Sequence, residues 1–200
     1  MRWAVYVAAA AGVLSLLILL FKNQRRGQMA WIMASFWLAV MTAYVPLSLL
    51  QKAQSVPRIH DITTDTKNVP PFVAIAPLRA DASNPLQYPG EEVASQQQAA
   101  YPDIQTYEST VSSEILFEAA LSAAEQLGWT LVDRNKAEGR IEAFDTTLWF
   151  GFVDDVVIRI SETESGAALD IRSKSRVGLS DVGKNAERIR QFMGVLDQQL

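Results

Sequence analysis

The chain has 200 residues, 49% hydrophobic and 20% charged, with 18 Lys+Arg, 22 Asp+Glu, one His and no Cys. This composition leaves no disulfide scaffold, thiolate metal site, cysteine nucleophile or lipidated cysteine, and a single His excludes a two-His metal centre. The net charge of -4 is unevenly divided: residues 1–50 hold four basic residues and no acid, while residues 51–200 hold the other 14 basic and all 22 acidic residues, a balance of -8. An acidic domain cannot neutralise phosphates well, which argues against nucleic acid as a partner.

Two apolar runs come first. Residues 3–21 contain only Tyr6 and Ser15 as polar side chains, and residues 29–50 only Ser35, Thr42, Tyr44 and Ser48. At about 1.5 Å per residue, either run crosses a hydrocarbon layer of roughly 30 Å. Trp3, Tyr6, Trp31 and Tyr44 lie towards the ends of the runs, where amphipathic rings favour the headgroup zone. No small-x-small cleavage site follows the first run. The pattern predicts a transmembrane helical hairpin over 1–50, with the bilayer as its first partner. Loop 22–28 carries Lys22, Arg25 and Arg26 without an acid, which favours the cytoplasm; Arg2, Lys52 and Arg58 balance that count on the other side. The higher charge density of the short loop breaks the tie. It places the protein in the inner membrane with its large domain in the periplasm.

Residues 51–110 contain seven of the eight prolines. Proline at this density removes backbone donors and blocks helices, so the stretch is predicted as an extended arm packing on the following domain, with short strands at most, such as 72–75.

From residue 111 the periodicity is readable. Leu116, Ala120, Ala123 and Leu127 mark a helix face, with Ser112 or Ser113 as cap and Gly128 as stop. Strands follow over 129–133, 140–147, 155–161 and 167–176. In the third, Val156, Ile158 and Ile160 share a face; in the fourth, Leu169 and Ile171 oppose Asp170, Arg172, Lys174 and Arg176. Val182, Ala186, Ile189, Met193, Leu196 and Leu200 then repeat at helical spacing behind Ser180 or Asp181. Helix, four strands, helix with short turns predicts an α+β fold over 111–200: an antiparallel four-stranded meander with two helices in a two-layer sandwich.

Three groups of residues invite a chemical reading. His60 with Asp61 and Asp65 could pair base and carboxylate, although Asp and Thr also hold turns in such a segment. Asp145 and the pair Asp154-Asp155 flank an apolar tip, but adjacent acids on a strand point apart and no third metal ligand is evident. In the tip itself, Trp149, Phe150 and Phe152 are too many large apolar groups for an ordinary turn, and are candidates for packing on the arm or for contact with lipid or another subunit. Finally, residues 172–190 carry six basic and two acidic residues. Arg172, Lys174 and Arg176, with Ser180, Asp181 and Asn185 at a helix start, form a candidate anion site, set against the alternative of a solvated strand face. No cofactor motif, metal cluster or catalytic spacing stands out.

These pieces together resemble the bacterial and plastid family catalogued as domain of unknown function 1499. The matching segments are Ile59-His-Asp-Ile-Thr-Thr-Asp65, Tyr101-Pro-Asp-Ile104, Gly139-Arg-Ile-Glu-Ala143 with Asp145-Thr-Thr147, Phe150-Gly-Phe152 with Asp154-Asp-Val-Val-Ile-Arg159, and Ser173-Lys-Ser-Arg-Val-Gly178. Ser180-Asp181, Gly183 and Asn185 to Ile189 complete the set. They span roughly 56–195, so the resemblance implies that the arm belongs to the domain. It implies no activity, cofactor or substrate.

The expected role is therefore a membrane-anchored envelope protein with a non-catalytic domain binding an anionic ligand, a lipid headgroup or a protein partner. The alternatives are an envelope hydrolase or isomerase using His60 with Asp61 or Asp65, and a structural subunit of a membrane complex.

Overall fold

The computed structural model describes residues 2–19, 26–147 and 151–200. They form two compact units, Met1–Ser55 and Val56–Leu200.

The first unit is a pair of helices, α1 (Arg2–Leu19) and α2 (Arg26–Ser55). They pack antiparallel through small residues. A Cβ on Gly12 would stand 3.9 Å from that of Ala39, and the Ser15 and Ser35 hydroxyls lie 3.5 Å apart. Small side chains let two backbones approach closely. Each hydroxyl is also satisfied within its own helix, Ser15 by Ala11 O at 2.8 Å and Ser35 by Trp31 O at 2.9 Å. The stretch Met29–Ser55 is long and apolar enough to cross a membrane. α2 runs five residues beyond the predicted end, so Pro46 lies within the helix rather than in its last turn.

The second unit corrects the predicted strand count from four to six. The meander of β3 (Thr130–Asn135), β4 (Arg140–Thr146), β5 (Val153–Thr163) and β6 (Gly166–Ser175) is present in that order. The outer edge of β6 is then extended by two short strands from the proline-rich segment. β1 (Asp61–Thr63) pairs antiparallel with Arg172 to Lys174, and β2 (Tyr107–Ser109) with Ala167 to Leu169. Three residues are too few to show an alternation, which is why neither strand is legible in advance.

A helix, α3 (Glu91–Ala100), also interrupts the arm that was predicted extended. It lies between Pro89 and Pro102, in a run of Gln and Ala that favours helix once no proline intervenes. α3 supplies Gln97, whose buried side chain accepts from Thr63 N at 3.0 Å and donates to Thr63 O at 2.7 Å. One amide thereby completes the free edge of β1. Residues 72–75 form no strand, because the N–H groups of Val73, Ala74 and Ile75 are bound to a side chain, as described below.

α4 (Ser113–Gln126) and α5 (Lys184–Leu196) cover one face of the sheet. Ser112 caps α4 by accepting from Ile115 N, and Gly128 ends it at φ +75°. Leu116, Ala120 and Ala123 of α4 and Ala186, Ile189, Phe192 and Leu196 of α5 are buried against Ile62, Ile141, Val156, Ile158, Leu169 and Ile171. Trp129 stacks on Phe192 with centroids 5.4 Å apart. Between β3 and β4, Gly139 takes φ +62° because a Cβ there would lie 2.2 Å from the Ile160 carbonyl. The opposite face is covered by the arm, with Phe72 and Ile75 packed on Val157.

Candidate functional site

Strict alternation in β6 divides its polar residues between the two faces. Arg172 and Lys174 point towards the arm, Ser173 and Ser175 towards α5. The six residues grouped in the sequence as an anion site are therefore split by the sheet: Arg172, Lys174 and Arg176 lie on one side, and Asn185 bonds Ser173 and Ser175 on the other.

On the arm side, register places Asp61, Lys174 and Asp155 side by side across β1, β6 and β5. Asp61 is fully buried. Its carboxylate takes Arg172 Nε at 2.9 Å and Nη2 at 2.8 Å, and Lys174 Nζ at 2.5 Å. Asp155, also fully buried, receives Arg79 from the arm and Arg176 in a fork of 2.7 to 3.1 Å. Four cations thus share two carboxylates. The arm supplies the remaining acceptors: Arg172 donates to Pro70 O and Leu86 O, Lys174 to Gln87 O at 3.1 Å, and Arg176 to Leu78 O at 3.0 Å. Phe72 and Tyr88 lie against the Arg172 guanidinium at 4.8 and 5.7 Å. Burial lowers the Lys174 pKa despite the attraction of Asp61, and burial beside Asp61 pushes the Tyr88 hydroxyl up to about 12. Arg172 and Lys174 are buried beneath the arm, whose carbonyls and rings take up their remaining donors and faces, while Arg176 stays partly exposed.

Glu142 completes this face. Its buried carboxylate accepts from Val73 N at 2.9 Å, Ala74 N at 3.0 Å and Ile75 N at 2.9 Å. Three successive N–H groups wrapped on an anion form a backbone nest, which here fixes the arm to the sheet.

On the helix side, Arg188 of α5 is the hub. It reaches Asp145 and Asp154 at 2.8 Å each, Asn185 Oδ1 at 2.8 Å and Ser173 Oγ at 3.1 Å. Asp154 and Asp155 do point apart, Asp154 to Arg188 and Asp155 to Arg79 and Arg176. Asp181 caps the turn into α5 through Gly183 N and Asn185 N at 2.8 Å, while burial raises its pKa. Ser180 is a turn residue, its Oγ accepting from Val182 N at 3.2 Å.

His60 lies just before β1. Its carbonyl accepts from Ser175 N at 2.9 Å and Asn185 Nδ2 at 3.1 Å, while its buried Nδ1 has no hydrogen-bond partner. No dyad with either named acid is formed. Asp61 is committed to Arg172 and Lys174, and Asp65 to Arg159 and the N–H groups of Lys67 and Asn68. At Asp65 those bonds outweigh desolvation and lower its pKa. Phe152 is 51% exposed at the β4–β5 hairpin; Trp149 and Phe150 lie outside the described residues.

Burial first and the nearby Lys174 second lower the His60 pKa from its ordinary 6.5, against weaker opposing pulls from Asp61 and Asp181. The unfolded chain therefore binds a proton more readily than the folded one below pH 6.5. The expected result is stability that holds above that pH and falls as acid drives the imidazole to charge. His60→Gln should flatten the dependence between about pH 6.5 and 5, above the main carboxylate range. Urea midpoints across that window would show it, and equal slopes in both proteins would remove His60 as the cause.

Arg188, Glu142, Arg79 and Ser175 were not singled out in the sequence. Arg188 carried a faint signal, lying on the same helical stripe as Asn185 and Ile189. The profile of the family described as Protein of unknown function (DUF1499) matches residues 61–196. The chain belongs to this family. The matched span begins at Asp61 and closes near the end of α5, so it takes in both arm strands, both buried networks and the helix that carries Arg188. No curated protein shows a significant match. Beside α5, a groove of about 330 Å³ is lined by Thr64, Ile104, Ile189, Arg190, Met193 and Asp197.

Proposed function

We propose that this DUF1499 member is a membrane-anchored envelope protein whose α+β domain is a non-catalytic binding module held at the membrane surface. The observation that carries this reading is the junction. The apolar helix ends at Ser55 and β1 begins at Asp61, so only five residues join the helix to the sheet. An arrangement of this kind restricts the domain to the bilayer surface. The packing of α1 on α2 supports a hairpin in which both helices span, and the basic loop 22–28 supports a cytoplasmic turn with a periplasmic domain. The non-catalytic reading draws on the networks around Asp61, Asp155 and Arg188, whose charged groups tie structural elements together. The groove beside α5 offers a concave surface for a ligand or protein.

The test joins extraction with topology. The full chain should remain in the membrane pellet through an alkaline carbonate wash. Alkaline phosphatase fused after Leu200 should be active, and a fluorescent protein that fails to mature after export should stay dark at the same position. Release by carbonate would overturn the anchor, and the reverse reporter pattern would move the domain to the cytoplasm.

A further inference from the structure

The domain has seven exposed large apolar residues among those described: Val73, Leu78, Ile115, Phe152, Val177, Leu179 and Leu200. Four of them, Leu78, Phe152, Val177 and Leu179, gather at one end of the sheet. Hydrogen bonds hold them there. Thr147 N donates to Phe152 O at 2.8 Å, and Arg176 N to Val153 O at 3.0 Å, which sets Val177 beside the Phe152 hairpin. Asn84 Nδ2 donates to Gly178 O at 3.0 Å, between Val177 and Leu179. Arg176 Nη1 donates to Leu78 O at 3.0 Å, bringing the arm to the same rim. Leu179 is the most exposed of the seven, at 72%. Leaving a cluster of this kind in water is unfavourable, so it implies something that covers it.

The position of the rim within the domain says what that is. Asp181 N bonds Ile59 O at 3.2 Å, and a Cβ on Gly183 would stand 3.5 Å from Val56. The loop carrying Val177 and Leu179 therefore leads directly into the place where the chain arrives from α2. From Leu50, the last large apolar residue of that helix, to Ser55 is about 7.5 Å of helix. Four further residues reach the buried Ile59 in at most about 14 Å. Arg58 falls between and is exposed; a cation near a lipid surface is attracted to its phosphates.

We propose that the rim formed by Leu78, Phe152, Val177 and Leu179 inserts into the interface of the same leaflet from which α2 emerges, so that the bilayer is its occupant. The inference rests on the membrane-anchored reading and adds a second, non-helical point of contact. Apolar side chains in this position enter about 5–10 Å, to the boundary between headgroups and acyl chains.

The absence of cysteine from the sequence makes the test clean. Single variants Leu179→Cys, Phe152→Cys, Ile115→Cys and Leu47→Cys carry an environment-sensitive fluorophore. Each full-length protein is reconstituted in phosphatidylcholine vesicles containing lipids with a nitroxide at shallow or deep positions. The labels at 179 and 152 should lose roughly half or more of their emission to the shallow quencher, as expected for interfacial depth. The label at 115, on α4, should lose almost none, and the label at 47 should respond to the deep quencher. If 179 and 152 behave like 115 while 47 is quenched, the rim proposal is overturned and the anchor stands. If 47 is not quenched either, the anchor fails and takes the rim with it. A blue-shifted label at 179 that no lipid quencher reaches would mean that protein covers the rim, which also overturns the proposal.

Discussion

Asp61→Asn should destabilise the domain by about 3–5 kcal/mol, the cost of leaving buried charge without its counter-ion. The carboxylate has no solvent exposure and is the counter-ion shared by Arg172 and Lys174. An amide of the same shape can accept a hydrogen bond but brings no charge, so two buried cations would face each other with only carbonyls and rings to stabilise them. At about 2–4 °C per kcal/mol for a domain of this size, the thermal midpoint should fall by roughly 10 °C. Near-ultraviolet circular dichroism of the full chain in detergent would record the change. Lys174→Met is expected to behave differently. It deletes the cation whose pKa burial already lowers, keeps much of the stem volume and leaves Asp61 in its bidentate bond with Arg172. Its cost should stay within about 1 kcal/mol, because replacing a buried ion by a well-packed apolar group is often neutral. Equal losses in the two variants would show that Asp61 acts through packing rather than charge.

Glu142→Ala should release the arm. Three backbone N–H groups lose their common acceptor, one of them fully buried at Ile75. Bonds to a charged group contribute about 1.5–3 kcal/mol each, and orphaned donors add a desolvation cost, so a local loss of about 3–5 kcal/mol is expected. The effect should be confined at first to the segment around 70–90. Arg79, buried against Asp155 in the native protein, would become a trypsin site as the segment opens. Hydrogen exchange at Val73 to Ile75 should accelerate by two orders of magnitude or more, at ~1.4 kcal/mol per factor of ten. Glu142→Gln should fall between, since one amide oxygen remains as acceptor while its NH2 faces the same donors. Unchanged cleavage at Arg79 in the alanine variant would mean that Phe72 and Ile75 alone secure the arm.

The contrast between these two sites and the helical core shows what the sequence made legible. The core is periodic: Leu116, Ala120 and Ala123, the stripe of α5, and the alternation of β4 to β6 are all visible because burial repeats every two or three to four residues. The stripe itself was read slightly off register. Phe192 is buried and Val182 and Leu200 lie outside α5, since a glycine N-cap at 183 starts the helix two residues later than Asp181 would. The arm was readable only as proline-rich. Its two strands, its helix and its hold on Glu142 depend on partners 34 to 113 residues away, and such contacts leave no local pattern. For the same reason the alternation of Arg172, Lys174 and Arg176 was correctly assigned to one face while the cover over that face was invisible. Arg188 looked like any helical cation until Asp145, Asp154 and Ser173 were brought to it from three other positions in the chain.

The pairing of β1 with β6 also bears on how the domain comes into being. Asp61 is synthesised 111 residues before Arg172 and 113 before Lys174. At about 5–20 residues per second, Asp61 is made roughly 6–22 seconds before the two cations that complete its site. During that interval the central acid of the arm has no cation and the apolar side of β1 has no sheet. Only when the C-terminal third is present can the two ends of the domain be joined, so folding is necessarily a late, whole-chain event. A chain cut short before β6 would leave an arm with nothing to close upon.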